Sequence, residues 1–318
     1  MKGLAAYVMR GRLQALLIAS GLLPLALMLM PLSWPLSFFS AAVVGLVTLV
    51  QGVREGLLVL LGGCLVVSLL GLLIPGNVFV VIGFALLAWL PVWFLALVLR
   101  QTVSLNLSLL LGALLGIIAV GSFFLFTGDP ATWWYQHFIH NVLPVLEKAG
   151  MVFNDRTKLE AELLKASHLM TGSLAAFMLL GAVAGLFIAR RWQASLYNPG
   201  GFQSEFYQLR FGVTPALVAL ALLAAALLGP GLLGRGLWAD LLVNILSPVV
   251  VVFLFQGLAI GHVLIKARGR NSAWLVGMYM LLLFGLPYSP VLLALLGMFD
   301  NWLDLRTKFG GQNTGGRA

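Results

Sequence analysis

The sequence predicts an all-α, polytopic transmembrane helical bundle, and two observations carry this prediction. Hydrophobic residues make up 61% of the 318 residues and charged residues only 9%, whereas soluble domains carry about 25% charged residues. The apolar residues form long uninterrupted runs, and a helix that is apolar on every side must be buried in protein or lipid. We therefore expect a lipid bilayer, rather than water, to surround most of the chain.

The spans follow from the length of the apolar runs, because a membrane helix needs about 20 predominantly apolar residues. Ten runs qualify as candidates: 13–31, 36–53, 55–74, 78–99, 105–126, 169–189, 213–233, 238–265, 273–286 and 290–303. The last two are separated by Pro287-Tyr288-Ser289-Pro290, which breaks a helix. They are either a hairpin of two short helices, which gives about ten spans, or one kinked span, which gives about nine.

The basic residues favour ten spans and a cytoplasmic N-terminus, because loops rich in Lys and Arg stay inside. This arrangement places 14 of the 19 basic residues on the cytoplasmic side, namely Lys2, Arg10, Arg12, Arg54, Arg100, Arg190, Arg191, Arg210, Lys266, Arg268, Arg270, Arg306, Lys308 and Arg317. A single kinked last span would place the final three outside. The net charge of +9 is thus explained by topology, and we expect no nucleic-acid partner.

The polar segments divide the chain into two bundles. Residues 1–126 form the first transmembrane bundle with five spans, and residues 169–305 form the second with about five. Between them, residues 127–168 predict an extracytoplasmic insert, and residues 306–318 predict a disordered cytoplasmic tail.

Two polar segments carry helical patterns of their own. In the insert, residues 131–148 predict an interfacial amphipathic helix that places Trp133 and Trp134 at headgroup depth. Asn154 or Asp155 is suited to cap a second helix, 156–167, that runs into the sixth span. In the cytoplasmic loop 190–212, helical spacing of the apolar residues predicts a short helix on the membrane surface.

The eighth run is the most polar and supplies the candidate ligand-binding residues Asn244, Ser247, Gln256 and His262. Asn244 and His262 share a helical face, and Pro248 frees a backbone carbonyl near the middle of the membrane. This pattern is typical of a helix that lines a cavity for a small solute. It is also typical of hydrogen bonding between helices around a proline kink, and the residues alone leave both interpretations open.

A cluster of charged residues lies at the end of the last apolar run. Asp300 and Asp304 lie one helical turn apart and Arg306 follows, so the two carboxylates could hold a cation or take a proton. The alternative is an interfacial pair that meets the basic residues of the neighbouring loop, which are Lys266, Arg268 and Arg270.

The sequence predicts neither a metal site nor a cofactor. His137, His140 and His168 lie on one side of the membrane, but no cysteine joins them, and the only cysteine, Cys64, lies inside an apolar run. Nucleophile motifs, phosphate-binding loops and zinc-protease motifs are missing from the sequence. We therefore expect the chain not to be an enzyme.

Two stretches carry a family resemblance. They are Arg191-Trp192-Gln193-Ala194-Ser195-Leu196-Tyr197-Asn198-Pro199-Gly200-Gly201-Phe202, and Gln256-Gly257-Leu258-Ala259-Ile260 with Leu296-Gly297-Met298-Phe299-Asp300. They resemble the YybS-like family of uncharacterised bacterial inner-membrane proteins, which is distantly similar to the substrate-binding S components of energy-coupling-factor transporters. The resemblance implies a bacterial inner-membrane location. In S components, small residues separated by three on the first helix face the coupling subunit, and Ala15 and Ala19 have that spacing here.

Three functions are compatible with these observations. The leading hypothesis is a transport-related protein that binds or conducts a small solute. The second is a non-catalytic scaffold or assembly partner that contacts another membrane protein. The third is a membrane-embedded enzyme that acts on a lipid-linked substrate through Asp300, Asp304 or the histidines.

Overall fold

The structure is a computed structural model that describes residues 2–28, 35–72, 78–153, 155–232, 234, 236–271 and 273–310. The ordered elements of these residues are all helical, with no strand among them. The helices are α1 (Lys2–Val8), α2 (Arg12–Met28), α3 (Pro35–Val50), α4 (Val53–Leu72), α5 (Val78–Thr102), α6 (Leu105–Thr127), α7 (Pro130–His137), α8 (Leu143–Lys148), α9 (Arg156–Tyr197), α10 (Gly201–Tyr207), α11 (Val213–Leu232), α12 (Leu237–Ala267), α13 (Ala273–Phe284), α14 (Tyr288–Leu303) and α15 (Leu305–Gly310). A π-helical turn, Phe138–Val142, joins α7 to α8.

The chain is a helical membrane protein. Within the described part, six helices are long and apolar enough to cross a bilayer: α4, α5, α6, α9, α11 and α12. The helices α2, α3 and α13 are apolar but shorter. The number of spans, about ten by the length criterion, and the cytoplasmic N-terminus stay predictions.

The helix that contains the sixth predicted run is much longer than the run itself. The run lies inside α9, which has 42 residues and takes in both the predicted insert helix 156–167 and the first eight residues of the predicted loop 190–212. At about 1.5 Å per residue this helix is about 63 Å long, twice the hydrocarbon thickness of a bilayer. The predicted continuation of helix 156–167 into the sixth span is confirmed, whereas the predicted end of that span at residue 189 is wrong, because neither proline nor a turn sequence interrupts the helix before Asn198-Pro199-Gly200.

The capping of the insert helices agrees with the sequence. The side chain of Asp155 accepts a hydrogen bond of 2.9 Å from the amide of Lys158 and caps α9, so this alternative is confirmed. Asn154, the other candidate, lies outside the described residues. The predicted helix 131–148 is present, but the π-helical turn divides it into α7 and α8. In the loop, α10 is the predicted short helix.

The two predicted bundles share one core. Helix α3 packs against α2, α4, α5 and α9, while α12 packs against α6, α9, α11 and α14. Since α9 and α12 contact helices of the first half, residues 1–126 and 169–305 pack against each other. Helix α12 is the most enclosed of the six long helices, because 67% of its apolar 18-residue stretch is buried.

The C-terminal helices break where the prolines predict. Helices α13 and α14 have 12 and 16 residues and are separated by residues 285–287. Each is shorter than the about 20 residues of a full span, so the choice between two spans and one kinked span stays open. Residues 306–310, expected to be disordered, belong to α15. Residues 311–318 of the predicted tail lie outside the described part.

Candidate functional site

Asn244 lies where α12 crosses α9, and both polar atoms of its amide are bonded. Its Oδ1 accepts a hydrogen bond of 2.5 Å from the amide of Gly172, and its Nδ2 donates bonds of 2.7 Å to the carbonyls of His168 and Asp240. The backbones touch, because a Cβ at Gly172 would lie 2.5 Å from Cα of Asn244. These contacts favour hydrogen bonding between helices over a solute-binding role for Asn244.

The other polar residues of α12 point to different neighbours. The hydroxyl of Ser247 donates to the carbonyl of Val243 at 3.2 Å, and Nε2 of His262 lies 2.9 Å from the hydroxyl of Tyr279 on α13. Gln256 is fully buried; its Oε1 accepts a bond of 3.2 Å from the amide of Phe211, while its Nε2 has no partner among the described residues. None of the four candidates lines either of the two cavities that lie among α3, α5, α6 and α9.

Asp300 is enclosed by the protein and paired with Arg306. Its side chain is 0% exposed, and its carboxylate accepts bonds from the amide of Leu305 at 2.9 Å and from Nε of Arg306 at 3.2 Å. Arg306 also donates two bonds of 2.5 Å to the carbonyls of Tyr207 and Leu209. The alternative interpretation, in which Asp300 pairs with Lys266, Arg268 or Arg270, is therefore wrong.

Two further residues complete this polar cluster, and no local sequence signal pointed to them. Arg210 donates to the carbonyl of Asp300 at 2.8 Å and to Oδ1 of Asp304 at 3.3 Å. Asn301 accepts a bond of 2.9 Å from the amide of Gly212. The cluster fixes the segment before α11 onto the end of α14. Since the Asp300 oxygens are already bonded, this geometry fits a structural clamp better than a cation site.

The three histidines have separate surroundings. Nδ1 of His168 lies 2.6 Å from Oδ2 of Asp240, the ring of His137 stacks on Trp133, and Nδ1 of His140 lies 2.9 Å from the carbonyl of Gln136. Within the described residues, no group of three His, Cys, Asp or Glu side chains could hold a metal ion.

A large apolar cavity lies between α5, α6 and α9. Its volume is about 560 Å³. Its polar side-chain groups are the Thr171 hydroxyl and the indole N–H groups of Trp93 and Trp134, and all three are already hydrogen-bonded. The walls are otherwise hydrocarbon and aromatic, formed by Leu87, Leu90, Pro91, Phe94, Leu95, Gly112, Leu115, Gly116, Ala119, Val120, Phe123, Leu174, Ala175, Met178, Leu179 and Ala182. A smaller cavity of about 50 Å³ shares Leu87, Met178 and Ala182 with it and extends toward α3.

Helix α7 brings Trp134 to one end of this cavity. Nε1 of Trp134 donates a bond of 2.9 Å to the hydroxyl of Thr171 on α9. The helix starts at Asp129, whose carboxylate accepts bonds from the hydroxyl of Thr132 and from the amides of Thr132 and Ala131. The Thr132 hydroxyl bond is the main reason that the pKa of Asp129 is lowered. The cap therefore stays ionised and holds α7 across the end of the cavity.

The cavity was not predicted, because its small residues resembled ordinary helix-packing positions. Gly112, Gly116, Ala119 and Ala175 lie on two runs that looked uniformly apolar. Their coincidence on facing helices depends on how α6 and α9 are placed, which local patterns do not determine.

The docking surface implied by the family resemblance is covered. Ala15 and Ala19 are both 0% exposed, and the hydroxyl of Ser40 on α3 donates a bond of 2.7 Å to the carbonyl of Ala19. These two alanines therefore pack α2 against its own chain and are not exposed at its surface. No protein-family model, curated protein or solved structure matches this chain.

Proposed function

We propose that the chain is a transport-related membrane protein that binds a small, mainly apolar molecule between α5, α6 and α9. The cavity of about 560 Å³ carries the proposal. Ligand pockets generally have volumes of about 300–1,000 Å³ and mostly apolar walls. No charged side chain lines this cavity, and an unpaired charge in apolar surroundings is costly. The proposed ligand therefore carries no charge in the part that it buries.

The cavity is open toward the hydrocarbon, which indicates how a ligand reaches it. Leu87, Leu90 and Leu115 line the cavity and are 52%, 46% and 40% exposed. A mainly apolar molecule dissolved in the bilayer can thus enter sideways. A polar end of the ligand could exchange hydrogen bonds with Thr171 and Trp134.

The polar residues of α12 and α14 support a permeation path less well. Asn244 is bonded on both sides to α9 and α12 backbone, and Asp300 is closed in by Arg306. Binding of a lipid-soluble molecule is therefore a better fit than conduction of a polar solute.

Filling the cavity is expected to abolish this binding. Ala175 lines the cavity, so Ala175→Phe places a ring inside it. Untargeted mass spectrometry of the detergent-purified wild-type chain should find a bound apolar molecule, which the variant retains at less than about a tenth of the wild-type amount, since burying one large apolar group is worth about 1.5–3 kcal/mol. The control Ala224→Phe changes an exposed residue of α11 and should retain the molecule. Equal retention by all three proteins, or no bound molecule in the wild type, contradicts the proposal.

A scaffold is the second candidate, and the long outer end of α9 favours it. Every residue from 156 to 166 is exposed or partly exposed. The charged residues among them are Arg156, Lys158, Glu160, Glu162 and Lys165. A charged helical extension of this kind is suited to contact another protein. Deletion of residues 144–164 should then remove a co-purifying partner, whereas the solute-binding proposal expects the bound molecule to remain.

A further inference from the structure

The turn between α12 and α13 concentrates positive charge. Lys266, Arg268 and Arg270 fall within five residues, and all three side chains are exposed. None of the three forms a salt bridge within the described part of the chain. The stretches outside the described residues contain no Asp or Glu that could neutralise them.

Carboxylates near this turn are already paired with other cations. Around α10, which contacts α12, Glu205 is paired with Arg190, Asp300 with Arg306 and Asp304 with Arg210. The positive charge of the turn is therefore available to an external anion.

Aromatic rings lie beside two of these cations. Nζ of Lys266 lies 5.1 Å from the ring centre of Tyr207, and the guanidinium of Arg270 lies 5.5 Å from the ring centre of Trp274. Tyrosine and tryptophan side chains are characteristic of membrane–water interfaces. Cation–π contacts keep each ammonium or guanidinium beside a ring while leaving its N–H groups able to donate elsewhere.

Helix α13 adds an apolar surface next to the turn. It has no buried residue, and most of its large apolar side chains are exposed, namely Trp274, Val276, Tyr279, Met280, Leu281, Leu283 and Phe284. A ligand at the turn would therefore have an apolar surface beside it, running directly away from the cations.

We propose that this turn binds the phosphate head group of an anionic phospholipid whose acyl chains lie along α13. Three cations match a phosphate, and the apolar face of α13 matches the chains. A free phosphate would use the cations alone and would leave that face unexplained. Basic groups between membrane helices are a recognised way to bind such head groups.

The test compares lipids on the purified full-length chain. Native mass spectrometry in detergent would measure binding of phosphatidylglycerol and of phosphatidylcholine with the same acyl chains. The wild type should prefer phosphatidylglycerol, and Lys266→Gln/Arg268→Gln/Arg270→Gln should weaken its binding by about fivefold per cation and about 100-fold in total. Phosphatidylcholine binding should change little.

Two control variants distinguish lipid binding at this turn from a general attraction of the anionic lipid to positive charge. Lys148→Gln/Lys158→Gln/Lys165→Gln removes equal charge from exposed residues of α8 and α9 and should keep the wild-type preference. Lys266→Arg/Arg268→Lys/Arg270→Lys keeps the charge and should bind phosphatidylglycerol within about twofold of wild type, since its cations remain at the surface. An unchanged preference in the glutamine variant overturns the proposal. So does an equal loss in the α8 and α9 control, or displacement of the lipid by inorganic phosphate at the same concentration.

Discussion

Replacing Asp300 with asparagine is expected to lower the free energy of unfolding by about 3–5 kcal/mol, because it leaves Arg306 enclosed without its counter-charge. The carboxylate is 0% exposed and the Arg306 side chain only 13% exposed, so water cannot replace the lost partner. Chemical unfolding in detergent micelles, followed by tryptophan fluorescence, would measure the change. Asp304→Asn is the matched control. The Asp304 side chain is 40% exposed, so its loss should cost about 0–1 kcal/mol.

A double variant separates the charge from the packing at this position. Asp300→Leu with Arg306→Met removes both charges together, and replacing a buried ion pair by apolar residues is often close to neutral. We expect this double variant to be more stable than Asp300→Asn. If Asp300→Asn and Asp304→Asn destabilise the chain equally, the clamp of Asp300 on Arg306 is not what fixes the end of α14.

Replacing Gly257 with alanine is expected to separate α12 from α14. A Cβ at Gly257 would overlap the carbonyl of Leu293, with the carbonyl carbon 2.7 Å away. Backbone cannot move aside as a flexible side chain can, so the variant should lose about 3 kcal/mol of stability or more. The same unfolding measurement in micelles would detect it.

Gly277→Ala is the control for this substitution. Gly277 lies within α13, and a Cβ added there would have no neighbouring atom within 4 Å. Alanine at this position should raise stability by about 0.5–1 kcal/mol, because glycine is unfavourable inside a helix. A similar loss in Gly257→Ala and Gly277→Ala would contradict this account, because the α12–α14 contact would then not be what makes the Gly257 substitution costly.

The sequence predicted the helical membrane class and most helix ends. The long apolar runs indicated the membrane class. Capping residues and prolines indicated the helix ends, since Asp155 caps α9 and Pro287 separates α13 from α14. Such signals act within a few residues and do not depend on the rest of the fold. The prediction failed where it ended the sixth span at residue 189, because a change from apolar to charged composition does not by itself end a helix.

The candidate sites were less predictable, because they depend on contacts between distant residues. Asn244 was correctly singled out as polar, but its partner Gly172 lies 72 positions away. Arg210 reaches Asp304 across 94 positions, and no local pattern connects them. The cavity is lined by residues of α5, α6, α7 and α9 that lie far apart in the sequence, and composition does not reveal how those helices are placed.

The most direct test of the proposed ligand site is a structure of the wild-type chain in lipid nanodiscs at side-chain resolution, purified without added ligand. We expect elongated density between α5, α6 and α9, beginning below Trp134 and Thr171 and continuing past Ala119 and Ala175. Helices that close together, so that Phe94 and Met178 fill the space and no density remains, would contradict the proposal.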